Sequence, residues 1–501
     1  MYIIDYDKMK PAGGVAKEAN KHSNVGYAIP DTIAMNMVEL IDSSWFIPKP
    51  SELSDNKLLL DEYANNHRVL DICCNSGILL YWFLQRFRTY LTRYAKTSFN
   101  NSEDELCEYI LKNLLYGVSI NLTICRIIRS MLYNNRDVYG NIYNCDVLNA
   151  THHADSDELE IRGSEVYIYD RGKGEKVPMK FDVVCGNPPY NSDMYIDFVK
   201  LGHKLAKTYD LWITPAKWQA KLGGKNDSFR ELITPYISNL IFYKNPLDVF
   251  PDTPMCNDSL SIYLVDKFRH VDKTFIINGK STLVKDWDIE DGFDINSDYR
   301  QIKMKVLSRS GRLLDGSLFS PQKSYFTSKN FGEVDNGKII EDLSSPYILK
   351  NAKRTFNINV KDLKHLDEID AYKCYISGYL VDCPLVNILK PNEVSVRGDV
   401  LLGFGDRFTC ESIKSYYQSR LIWYLIYGLN MGNLNTQAFK FVPDPGSFDK
   451  VYEDRPLGGY TPDENGIYTD ANGVVHCSLY IKYKLTQQEI DVIESTIKER
   501  K

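Results

Sequence analysis

The chain has 501 residues, enough for two or three ordinary domains. Its 44% hydrophobic and 25% charged residues are an ordinary globular composition, which excludes a disordered or fibrous chain. A net charge of −6 argues mildly against nucleic acid, but residues 300–365 hold thirteen Lys/Arg against six Asp/Glu, a local +7. A local basic face is what phosphate contacts need.

The opening MYIIDYDKMK has no apolar run of the kind a secretory leader carries, and no stretch of 18 apolar residues follows. A cytoplasmic chain without membrane contact is expected. Eleven cysteines are scattered singly apart from Cys73–Cys74, with no CxxC pair, so reduced thiols and no metal site are expected.

In chain order, a buried strand is predicted over Val69–Cys73 and a helix over Ser76–Phe87. A loop is expected around Lys96–Asp104. A second strand lies within Asn113–Ile120, with a helix to Tyr133 and a third strand ending at Asp146. The charged, glycine-containing stretch Ala150–Pro178 reads as a loop insertion with a small hairpin. Lys180–Gly186 is a strand, Met194–Lys207 a helix and Tyr209–Pro215 a strand. ISNLIFYK and SLSIYLVDKF form a later pair, expected to be antiparallel. Beyond residue 295 the βαβ rhythm stops, which predicts a second domain of α+β type. Asp463–Val475 contains two Asn-Gly turn signals. A final helix begins at a capping box, Thr486 with Glu489, and buries Ile490, Ile493 and Ile497.

Two segments carry the chemistry. Asn187-Pro188-Pro189-Tyr190 follows the strand that ends at Gly186. In an open α/β sheet, ligands bind beyond the carboxyl ends of strands. Two prolines keep the backbone out of a ladder, so carbonyls point outward. The Asn187 side-chain oxygen and the Pro188 carbonyl can then accept from one amino group, while Tyr190 offers a flat ring for stacking. A conjugated amine is a poor nucleophile. Two acceptors on its two hydrogens favour a pyramidal nitrogen, so placement and electrostatics carry most of the work. The second segment is Val69-Leu70-Asp71-Ile72-Cys73-Cys74-Asn75-Ser76-Gly77. A strand, a small-residue turn and a helix let backbone approach a nucleoside cofactor closely.

Together these segments resemble the adenine-specific (N6) DNA methyltransferases of restriction–modification systems, in particular the Eco57I-like methylases. The resemblance covers most of Gly26 to about Asp266 and, more weakly, the C-terminal half. It implies a Rossmann-like S-adenosylmethionine-dependent methyltransferase sheet with a C-terminal α+β target-recognition domain. VGYAIPDTIAMNMVELI resembles the N-terminal family motif, with Pro30 matching and Ile29 at its threonine position; Tyr27 and Pro30 would border the cofactor. In the first turn Asp71, Cys73, Asn75 and Gly77 would hold the cofactor, Asn75 replacing a glycine. Asn is the next best residue for a left-handed backbone. Ser119 stands where the family has an acidic residue on the ribose, and Asp146 matches the acceptor for the cofactor's adenine amine. Asn187, Pro188, Pro189 and Tyr190 would form the catalytic cradle, with Asn187 also bordering the cofactor. Phe250 would stack on the target base opposite Tyr190.

The implied partner is double-stranded DNA, from which the target adenine must be flipped out of the stack. The expected division is a catalytic domain over 1–295, target recognition over 296–450, and a hairpin and helix over 451–501. A monomer that methylates only is expected, since nothing before Val25 could hold a nuclease; a separate restriction endonuclease would be a partner. Two alternatives stay open. Related NPPY enzymes methylate a protein glutamine or a ribosomal RNA guanine amine. A DNA-binding protein with a decayed cofactor site is motivated by Asn75 and Ser119.

Overall fold

The computed structural model describes residues 28–133, 141–148, 159–170, 173–219, 225–251, 258–268, 273–277, 280–284, 297–314, 321–323, 326–327, 341–350, 354–376, 386–396, 399–429, 434 and 436–497. Two compact units divide the chain. The first is Met1–Trp218 with Leu222–Trp287, the second Gln219–Lys221 with Asp288–Lys501.

Among the described residues, the first unit is built on a nine-stranded sheet. Its strands are β1 (Val69–Asp71), β2 (Leu115–Ser119), β3 (Ile142–Asn144), β4 (Phe181–Gly186), β5 (Ala206–Pro215), β6 (Ile237–Tyr243), β7 (Leu260–Asp266), β8 (Lys273–Ile277) and β9 (Lys280–Val284). They lie in the order β9-β8-β6-β7-β5-β4-β1-β2-β3. β1 to β6 and β8 run parallel; β7 pairs antiparallel with both β5 and β6, and β9 antiparallel with β8. The expected antiparallel pair is therefore β6 and β7. This is a Rossmann-like, mostly parallel sheet, as the sequence led one to expect. Chain order reverses between β1 and β4, which opens a crevice at their carboxyl ends.

The strands around that crevice are buried throughout: Val69, Leu70, Val183, Val184 and Cys185 are all inaccessible. Continuous burial is what a parallel sheet covered on both faces demands. Covering helices include α1 (Asp31–Glu39), α2 (Ile78–Leu91), α3 (Glu103–Asn113), α4 (Leu122–Tyr133), α5 (Met194–Leu205) and α6 (Lys225–Ile233). On α2 the buried Leu79, Leu80, Phe83, Leu84, Phe87 and Leu91 recur at helical spacing and form one apolar face.

Three sequence expectations need correction. The stretch Lys96–Asp104 is not simply a loop: it takes in most of a helical turn at Ala95–Ser98 and the start of α3. Ser102 caps α3 by accepting from the Glu105 N–H at 3.1 Å, and Glu103, Asp104 and Glu105 place negative charge on its first turn. The insertion before β4 is a three-stranded meander, Leu159–Arg162, Glu165–Asp170 and Glu175–Met179, rather than one hairpin. The helix from Met194 stops at Leu205, because Ala206 already takes an extended backbone and opens β5.

The second unit is α+β. A four-stranded sheet combines Gln322–Lys323 with β10 (Tyr372–Ile376), β11 (Val386–Leu389) and β12 (Val400–Gly405). Helix α7 (Arg407–Gln418) packs on β10, β11 and β12. A smaller core of Phe326, Leu349, Phe356, Ile358 and Val394 lies beside it in sequence. Near the end, Ile467–Thr469 and Val475–Ser478 pair antiparallel across the second Asn-Gly turn. The final helix, Gln487–Thr496, carries the expected capping box, with the Thr486 N–H donating to Glu489 at 2.7 Å, and buries Ile490 and Ile493.

Candidate active site

Three backbone hydrogen bonds build the crevice. The turn after β1 is tied to β4 by Ile72 N–H donating to the Cys185 carbonyl at 3.1 Å. It is tied to β2 by Cys74 N–H donating to the Val118 carbonyl at 2.9 Å. The ends of β2 and β3 are joined by Cys145 N–H donating to the Ser119 carbonyl at 3.2 Å. The residues expected to hold a cofactor, Asp71 through Gly77, Ser119 and Asp146, thus belong to one connected edge.

Gly77 opens α2 at φ +74°, and a Cβ there would meet the Ile128 side chain at 2.9 Å. Both the backbone and the space require glycine. Asn75 is buried, and its N–H donates to the Cys73 carbonyl at 2.8 Å. Asn75 is absent from the positive-φ residues, so the reason expected for Asn at this position, a left-handed backbone, does not apply. Across the crevice a Cβ on Gly186 would lie 3.2 Å from Cys73 and 3.4 Å from the Asp71 carboxylate. The Asp71–Gly77 turn and the start of the Asn187 segment are therefore in near contact.

Asp71 is buried, and one carboxylate oxygen accepts from the Cys73 N–H at 3.0 Å. Burial, only partly offset by that bond, raises its pKa from 3.8 to about 7. Burial and the neighbouring Asp71 push the Cys73, Cys74 and Cys185 thiols up as well. These shifts disfavour the thiolate form of all three. Ser119 ends β2, buried, its hydroxyl accepting from Asn121 N–H at 3.2 Å. Asp146 lies two residues beyond β3, half-buried, and accepts from Leu148 N–H at 3.1 Å. Pro30 stands before α1, and Asp31 accepts from the Trp82 indole on α2 at 2.7 Å, which ties this segment to the helix that follows the Asp71–Gly77 turn. Tyr27 lies outside the described residues.

Asn187 and Pro188 are buried, Pro189 and Tyr190 half-buried. The Tyr190 hydroxyl donates to the Asn187 side-chain oxygen at 2.8 Å. In this arrangement the amide oxygen, not the amide nitrogen, faces the Tyr190 hydroxyl. Sequence reasoning assigned Tyr190 only a stacking ring, so this use of its hydroxyl was missed. Phe250 is 3% exposed and belongs to the main core cluster, against which Tyr190 packs. Its ring lies among core side chains.

Two further features escaped sequence reading. Ile120, directly after Ser119, is 49% exposed at the carboxyl end of β2 and offers an apolar platform. Lys217, just after β5, pairs with Asp193 at 2.7 Å and Asp258 at 3.5 Å. Neither carries a spacing signal, because both depend on where the sheet's edge falls. Among the described residues no group of three or more His, Cys, Asp or Glu is placed to hold a metal ion, and no helix is long and apolar enough to cross a membrane.

No family model and no curated protein matches the chain. Solved structures are similar at low identity. The type IIL restriction-modification enzyme MmeI in complex with DNA aligns with a TM-score of 0.46 and 9% identity, over 94% of this chain and 75% of that one. A DrdV–DNA complex aligns with a TM-score of 0.46 and 12% identity, over 88% and 58%. The methyltransferase subunit of a type I restriction-modification system from Streptococcus thermophilus aligns with a TM-score of 0.29 and 13% identity, over 52% and 50%. The chain spans about half the length of the type I subunits it matches.

Proposed function

We propose that this chain transfers a methyl group from S-adenosylmethionine to the N6 amine of an adenine flipped out of duplex DNA. The observation that carries this reading is the position of the Asn187–Tyr190 segment. It leaves β4 at the sheet's switch point, directly across from the Asp71–Gly77 turn, with the Asn187 oxygen oriented by the Tyr190 hydroxyl.

The residues fit the cofactor. The left-handed Gly77 turn lets backbone approach it, Ile120 offers an apolar face to a planar ring, and the buried Asp71 carboxyl would gain most from a cationic partner. Ser119 and Asp146 would bind polar groups farther along the edge. When bound, the cofactor supplies an electrophilic methyl group. The protein's part is to place the acceptor: Asn187 and the Pro188 carbonyl take the two amine hydrogens, and Tyr190 stacks on the ring. Phe250 would have to leave its core position to close on a flipped base.

Target choice belongs to residues 296–450 in this reading, with the basic stretch 300–365 on phosphates. A separately encoded restriction endonuclease is the corresponding partner, and the protein acts as a monomer. The test is sequencing of modified bases in DNA from a host expressing the chain, with an Asn187→Ala control. Methyl groups on cytosine, or on no base in either sample, would refute the reading.

A further inference from the structure

At the same carboxyl edge, one ammonium group ties together three chain segments. Lys217 lies two residues beyond Pro215, the last residue of β5. Its Nζ reaches Asp193 at 2.7 Å, in the short turn Asn191–Asp193 that follows Tyr190. It reaches Asp258 at 3.5 Å, just before β7. It also lies 5.9 Å from the ring centroid of Tyr195, in the first turn of α5. All three charged side chains are about a quarter exposed. They are screened less than a fully exposed pair, whose worth is small.

Asp193 has a left-handed backbone, φ 62° and ψ 21°, at the joint between that turn and α5. Asp takes this conformation more readily than most residues, but it still costs free energy that neighbouring contacts can offset. If Asp193 relaxed toward the right-handed region, the chain direction three residues after Tyr190 would change. Tyr190 is the residue whose hydroxyl orients Asn187. We propose that Lys217 is a positioning residue, which holds the Asn187–Tyr190 segment in its working geometry by gripping Asp193 from the loop after the neighbouring strand. Asp258 is the second anchor, which keeps Lys217 over Asp193. The inference rests on reading the Asn187 segment as the acceptor cradle, and it adds a residue that touches neither substrate nor cofactor.

The experiment uses the full chain and two readouts. Amide hydrogen exchange over 187–195 is measured in the free protein, so it is independent of any activity. Methyl transfer to DNA is measured as kcat and as KM for S-adenosylmethionine. Lys217→Met should speed exchange over 187–195 and lower kcat about tenfold, with the cofactor KM changed less than about twofold, because misplacement of the acceptor costs rate rather than cofactor binding. Lys217→Arg should restore most of both. Asp258→Asn, which leaves the 2.7 Å arm in place, should give a smaller change in the same direction and serves if Lys217→Met fails to fold. Unchanged exchange in Lys217→Met and in Asp258→Asn overturns the proposal. So does a Lys217→Met protein that keeps its exchange pattern but binds DNA more weakly, which would make Lys217 a substrate contact. If the wild-type chain methylates no DNA, the functional reading fails, and the exchange result alone decides whether Lys217 holds this segment.

Discussion

Buried polar groups serve different ends in this protein, as examples from each unit show. In the first, Asp71 and Asn187 are buried where strands end, at the one place in an open sheet where backbone cannot satisfy everything nearby. In the second, burial secures the fold. Lys373 is inaccessible and donates to the carbonyls of Ile369 and Ala371 at 2.6 and 2.7 Å. The half-buried Asp454 accepts from the N–H groups of Arg420 and Leu421 at 2.8 and 3.2 Å and so caps the helix Arg420–Leu429. A buried charge marks a candidate site when the chain has left it facing a crevice, and a structural role when backbone carbonyls or amides already surround it.

The contrast can be broken most severely at Asn187. Asn187→Ala should lower methyl transfer about 100-fold or more, by analogy with loss of a group aimed at the reacting centre. Folding, followed by thermal unfolding, should change little. A variant that keeps a tenth of wild-type turnover would remove Asn187 from the mechanism.

Tyr190 sharpens it. Tyr190→Ala loses both ring and hydroxyl, and stacking on an aromatic is worth roughly 1–3 kcal/mol. Tyr190→Phe keeps the ring but loses the bond to Asn187, worth about 1 kcal/mol. The order of kcat/KM should be wild type, then Phe, then Ala. Equality of wild type and Phe would mean that the hydroxyl does not orient the amide.

Gly77→Ala comes next. A left-handed backbone costs an L-residue about 1–2 kcal/mol, and the new methyl would crowd Ile128. Calorimetry should show weaker S-adenosylmethionine binding together with a lower Tm.

The smallest effect concerns pH. Asp71 has a folded pKa raised to about 7 by burial. For a group raised in this way, stability is fully present below its ordinary value of 3.8 and is lost as pH rises to about 7. Asp71→Asn should therefore flatten the fall in stability between about pH 4 and 7. If Asp71 receives a cationic part of the cofactor, wild-type affinity should rise over the same window and the Asn variant should lose that slope. In the second unit, Lys373→Met should alter unfolding without altering cofactor affinity.

Legibility followed the same division. β1, β4, β5 and the antiparallel pair could be read because parallel strands are apolar runs of the right length. The places of Asn187, Asp71 and Gly77 beside strand ends could be read because they stand at fixed offsets from those strands. α3 was hidden because its first turn is acidic and polar, the composition a helix N-terminus and a loop share. The contacts of Lys217 with Asp193 and Asp258 depend on distances between segments well apart in sequence, and the Tyr190–Asn187 bond on how a single turn folds back. Phe250 could be placed in sequence, but its burial is a property of packing that no motif reports.

The sheet's outer strands have a consequence of another kind. An unpaired strand invites a second chain to continue the sheet. β3, at one end, has three residues, too few to template much pairing. At the other end β8 and β9 extend the sheet beyond β6, so that the strand on that border is a hairpin arm. Neighbouring strands lie about 4.8 Å apart, so even pairing at β3 would fall roughly 10 Å or more from β1. Self-association through either border would leave the crevice between β1 and β4 open, so clumping and loss of catalysis should be separable failures of this protein.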